Sequence, residues 1–147
     1  VKVEHVPFAE LNEAWKQADK DESRAVADRW AKEAKRVEGV TRETLETSAA
    51  MYLAERALLK KHGANGITIN CLGGFYGGHI HAYPCLGFHE LCNEGLVGAC
   101  ECDVRSTATM VAGVEGRALF LYVDFIQFAL TLSDRLTRAG DNVVLRP

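Results

Sequence analysis

The order of patterned segments predicts an α/β fold, a parallel-sheet three-layer sandwich of the Rossmann-like kind, in a single domain over residues 1–147. Three observations predict it. Helical apolar periodicity dominates residues 8 to 62, and short β-branched runs bounded by glycine then alternate with helical stretches. At 147 residues the chain has the size of one domain, enough to bury a core without disulfides. No repeat or linker argues for a second domain.

Val1 to Val6 reads as a short strand, with valines at 1 and 3 alternating with charges. Phe8, Leu11 and Trp15 then fall on one face of a first helix. A second helix starts at Asp21 or Ser23, carries Ala25, Val26, Trp30, Ala34 and Val37 on its apolar face, and ends at Gly39. Thr41 is a suitable N-cap for a third and longest helix that stops at Gly63, with Leu45, Ala49, Tyr52, Leu53, Ala57 and Leu58 as its buried stripe. Its Glu43 and Glu46 suit the positive helix end, and Lys60, Lys61 and His62 the negative end.

Ile67 to Cys71 reads as a central strand that opens into a glycine loop, LGGFYGGH. Cys85 to Asn93 is helical, Leu96 to Glu101 a second strand, Ser106 to Ala112 a short helix and Ala118 to Val123 a third strand. Helical spacing returns from Gln127 to Arg138, and Val143 to Leu145 is a terminal extended piece.

Composition excludes several classes. A net charge of −3 gives no electrostatic reason for nucleic acid or an anionic membrane as partner. No uncharged apolar run reaches the roughly 20 residues that a membrane span needs, and VKVEHVPFAELNEAW lacks the apolar core of a signal peptide. Five cysteines, an odd number without a secreted framework's spacing, read as reduced thiols in a cytoplasmic protein.

All five cysteines and three of the five histidines lie between residues 66 and 110. Gly73 and Gly74 open the glycine loop, which matches neither GxGxxG nor GxxxxGK[ST] and is read as a sharp loop at the rim of a cleft rather than a phosphate cradle. His79, His81 and His89 beside the cysteines raise zinc, but there is no CxxC pair. Small apolar core residues are the better reading of the thiols, with Cys100 and Cys102 sharing one strand face. Glu101, after LVGAC at a strand's carboxyl end, is either a metal ligand or acid/base group, or a solvated charge. Asp103 is best read as the cap of the helix holding Ser106 and Thr107. Asp124, an isolated acid within ALFLYVDFIQF, either faces solvent or is held in a cleft by a cation.

The strings ITINCLGGFYGG, AYPCLGF and EGLVGACECDVRSTATM resemble the middle region of the L-fucose and L-arabinose isomerase superfamily, in its bacterial fucose-isomerase-like branch. The resemblance is dense over roughly residues 41 to 117, with 118–147 as a divergent tail. It implies aldose–ketose interconversion by proton transfer through an enediol, with a divalent cation, usually manganese, on the sugar oxygens. It implies that Glu101 is both ligand and acid/base group, and that Asp124, following Gly116 and Arg117, is the second catalytic and metal-binding acid. Gly73, Gly74, Tyr76, His79 and Tyr83 would line the sugar cleft. In that family a histidine ligand comes from a C-terminal domain, and no counterpart lies within these 147 residues. The expected partners are therefore a small-molecule sugar and either identical subunits or that missing domain. The alternative is a non-catalytic remnant or interaction domain that oligomerises. A third possibility, a thiol-based zinc or redox module, implies either stoichiometric zinc or a reactive Cys100–Cys102 pair.

Overall fold

The computed structural model describes residues 2–114 and 142–146. It holds β1 (Lys2–Val6), α1 (Phe8–Gln17), α2 (Lys20–Glu33), α3 (Arg42–His62), β2 (Gly66–Ile69), α4 (Cys71–Tyr76), α5 (Cys85–Asn93), β3 (Val97–Cys100), α6 (Val104–Val114) and β4 (Asn142–Arg146). The expected strand at 118–123, the helix after it and Asp124 lie outside the described residues.

The α/β class holds, with a small four-stranded sheet in the order β1-β4-β2-β3. Only β2 and β3 pair in parallel, Gly66 opposite Val97 and Ile69 opposite Cys100. β4 runs antiparallel to both β1 and β2. The all-parallel sheet expected from the element order is thus replaced, among the described residues, by a mixed one. The reason is non-local, since NVVLR enters between β1 and β2 and alternation sends Val144 and Leu145 to opposite faces. Val144 joins the core under α1, α2, α3 and α5. Leu145 packs with Val97, Val104, Ala108 and Val111 of β3 and α6.

Helix α3 is the spine. Thr41 Oγ1 accepts from the Thr44 N–H at 3.1 Å, Gly63 closes the other end at φ 57°, and Ala49, Tyr52, Leu53 and Leu58 are buried as expected. Ala57 of the expected stripe is exposed, while Met51, Ala54 and Leu59 are buried. Fully burying a side chain such as Leu58 contributes roughly 1.5–3 kcal/mol. The second helix departs from expectation at both ends. Asp19 caps it by accepting from the Glu22 N–H at 2.8 Å, and it stops at Glu33, leaving Val37 exposed and Gly39 in a loop at φ 68°.

The stretch expected to be a glycine loop contains helix α4. The Asn70 side chain accepts from the Gly73 N–H at 3.0 Å and starts a turn that its glycines tolerate. Gly74 is needed for close approach, because a Cβ there would lie 3.0 Å from Ile80 and Phe8 side-chain atoms. Gly98 likewise lets α5 settle on β3, where a Cβ would come 2.5 Å from the Phe88 Cα.

Candidate functional site

The parallel pair β2–β3 ends with Ile69 opposite Cys100, and the chain leaves both strands at one edge. β3 stops one residue before Glu101, which stands in a turn with φ 61°, followed by Cys102 at φ 55°. Two consecutive side-chain-bearing residues in the left-handed region cost about 1 kcal/mol or more each. The Cys102 N–H donates to the Ile69 carbonyl at 3.0 Å, and the Asp103 N–H to the Cys100 carbonyl at 3.3 Å, which together hold the turn. Asp103 is the expected cap: its carboxylate accepts from the Ser106 N–H at 2.9 Å and the Ser106 hydroxyl at 2.6 Å. Those bonds hold its pKa below the ordinary carboxylate range.

This turn overturns the strand alternation expected at 100–103. Cys102 is buried against α6, whereas Cys100 is exposed on the edge and meets the Cys71 and Cys85 thiols instead. Cys71 and Cys102 are buried, but Cys85, Cys92 and Cys100 are exposed, so the packing reading fails for three of the five. Burial pushes the Cys71, Cys85 and Cys100 thiols up.

The expected cleft residues occupy α4 and the loop after it. Gly73 and Gly74 sit inside α4, the first exposed and the second buried. Tyr76 is 89 % exposed. His79 stacks on Phe8 of α1 with ring centroids 5.3 Å apart, and its carbonyl accepts from Asn12. Tyr83 lies against Phe75 at 4.5 Å, and His81 against Trp15 at 5.9 Å. Thus α4 and the loop after it bring Phe75 and Tyr83 together, while His79 is held on α1.

Sequence reasoning missed Glu55. It is fully buried in α3, neither carboxylate oxygen has a hydrogen-bond partner, and burial pushes its pKa well above the ordinary range. Its Oε2 occupies the space beside Gly87, where a Cβ would lie only 2.1 Å away, and its field reaches Cys85. A readable signal existed, because Glu55 falls three residues after Tyr52 and four before Leu59, on the buried stripe.

Among the described residues no group of three His, Cys, Asp or Glu side chains is placed to hold a metal. Glu101 is an exposed oxygen donor of the kind manganese takes, but its neighbours at this edge, Cys71 and Cys100, are thiols, which suit softer ions. The described residues therefore do not by themselves compose a manganese centre. A groove of about 990 Å³ lies at the opposite, amino edge of the sheet, between Ala14, Asp19, Leu53, Arg56, Lys60 and Glu94. One pair of its charges is satisfied within the protein: Tyr52 donates to Glu94, and Arg56 lies 3.4 Å from the same carboxylate. The chemistry-bearing side chains are at the other edge, and volume alone does not move the site. No described helix is long and apolar enough to cross a membrane. No protein-family model, curated protein or solved structure matches the chain.

Proposed function

We propose that the chain is the sugar-isomerising domain of a cytoplasmic, metal-dependent aldose–ketose isomerase, built on a three-layer Rossmann-like plan. The observation that carries this reading is Glu101, an exposed carboxylate held in a strained turn at the carboxyl end of a parallel strand pair, where open α/β sheets bind ligands. The strings around it resemble the fucose-isomerase-like branch. Glu101 takes the proton from one sugar carbon and returns it to the adjacent carbon through the enediol. A divalent cation, manganese first, would stabilise the developing enediolate charge when held by Glu101 and Asp124.

The test supplies the protein with manganese and a panel of aldoses in deuterated water and follows deuterium at the carbon next to the carbonyl by NMR. Incorporation by the wild type and none by Glu101→Gln is the expected result. Equal incorporation by both proteins removes Glu101 from the reaction, and none by either removes the activity from this chain.

A second reading is an interaction domain or remnant of an isomerase-like protein that self-associates. Its supporting observation is the exposure of Leu72, Tyr76, Tyr83 and Leu86 around α4 and the start of α5. Sedimentation that gives a monomer at all concentrations would dispose of it as a self-associating surface.

A further inference from the structure

We propose that Cys100 and Cys85 are a redox pair that a hydroperoxide closes to a reversible disulfide, tying the start of α5 to the end of β3. The strand register sets the placement of the thiols. Ile69 pairs with Cys100, so Cys71, two residues beyond Ile69, emerges at the same edge as Cys100. Helix α5 packs on β3, and glycine at 98 lets Phe88 approach the strand closely, which brings the first residue of α5 to that edge as well. Cys85 lies three residues before Phe88 on the same face of α5, and Cys100 two residues after Gly98 on the same face of β3, so the two thiols are neighbours, while the Cys71 S–H donates to the Ile69 carbonyl at 3.2 Å.

Access selects the pair. Cys85 and Cys100 are exposed, and Cys71 is only 8 % exposed with its proton already engaged by backbone. Either exposed sulfur can attack with the same product, Cys100 being the one at the strand end. Attack by Cys100 on the peroxide breaks the O–O bond, giving the Cys100 sulfenic acid and releasing hydroxide or alkoxide. The Cys85 thiolate then attacks that sulfur, the S–S bond forms, the S–O bond breaks, and water leaves after protonation. In sum two thiols and one hydroperoxide give one disulfide, water and the alcohol, or a second water from hydrogen peroxide. The assignment is independent of the isomerase reading, since it needs only the placement of the thiols.

The experiment treats the protein with hydrogen peroxide, quenches it, alkylates under denaturing conditions and maps the peptides by mass spectrometry. The expected product is a Cys85–Cys100 cross-link, two hydrogens lighter than the two thiol peptides and reversed by dithiothreitol. Cys92 is the internal control, being exposed with its sulfur 3.9 Å from the Gly98 carbonyl. Cys100→Ser abolishes the cross-link, and Cys92→Ser leaves its yield unchanged, with circular dichroism checking that both variants fold. Alkylation of Cys85 and Cys100 to the same extent as Cys92 would overturn the proposal. So would a cross-link from Cys100 to Cys71 or Cys102, or one between molecules.

Discussion

The two edges of the sheet are finished differently. At the amino edge the chain turns from α3 into β2 through Gly63, which takes φ 57° without a side chain, and the Ala64 N–H donates to the Leu59 carbonyl at 2.9 Å. Asn65 ties the neighbouring strands together, its N–H donating to Leu145 at 2.8 Å and its carbonyl accepting from Val97 at 2.9 Å. The end of α3 is pinned as well, with His62 at 2.7 Å from both Glu4 and Glu10, and Lys61 at 2.8 Å from Glu10. At the carboxyl edge, left-handed positions carry Glu101 and Cys102, thiols crowd one another, and the buried carboxyl of Glu55 lies unbonded beside the first turn of α5. A fold optimised only for stability would treat both edges as it treats the first, so the second is where strain and unpaired groups mark a task.

The largest effect that sharpens this contrast is expected at Glu55. Replacing it with methionine removes a buried, unbonded carboxyl at nearly constant volume and should raise stability by about 1–3 kcal/mol in denaturant melts. The pH dependence has a definite sign. A carboxyl whose native pKa is raised stabilises fully below its unfolded value of 4.5, and that stability is lost as pH rises toward the native pKa. The advantage of Glu55→Met over the wild type should therefore grow from about pH 5 to about pH 8. An advantage independent of pH would mean that the carboxyl is paired or hydrated.

Next come the two left-handed positions. Gly63→Ala puts a side chain at a φ that glycine now holds and should cost about 1 kcal/mol, whereas Glu101→Gly relieves the same conflict and should stabilise by a similar amount. A loss from Glu101→Gly would show the turn at 101 to be unstrained, and the edges would no longer differ in this respect.

The smallest effect concerns acid. The Glu90 carboxylate accepts from Arg29 at 2.5 Å, and that bond holds its pKa down; Glu10 is held down by bonds from Lys61 and then His62. Depressed carboxyls contribute above their unfolded value of 4.5, and the contribution disappears as pH falls through the native values. Glu90→Gln should flatten the stability profile below about pH 5 by a few tenths to about 1 kcal/mol, because Arg29 is substantially exposed. An unchanged profile would mean that the ion pair contributes nothing.

Elements whose signals are local were legible at both edges. Thr41 and Gly63 mark the ends of α3, Cys85 to Asn93 is α5 to the residue, and Asp103 caps α6. The rest of the carboxyl edge was less so. Asn70 three residues before Gly73 was a readable cap signal, but four glycines outweighed it and the segment was expected to be a loop. The place of β4 depends on pairing with strands over seventy residues away, and nothing in NVVLR selects them. The row of Cys71, Cys85 and Cys100 arises from the parallel register and the seating of α5, so linear spacing favoured the 100/102 pair that the turn separates. Glu101 stands just past the end of β3, as its place after LVGAC suggested, but its backbone strain has no local sequence cue.

The most direct test is a manganese titration of the folded protein followed by amide NMR, because the paramagnetic ion broadens signals near wherever it binds. If the carboxyl edge is the working edge, broadening should be confined among the described amides to residues 69–73 and 98–103, and Glu101→Gln should abolish it. Broadening centred instead on residues 63–65 and 94–96, or unchanged in Glu101→Gln, would contradict the assignment of the site to Glu101.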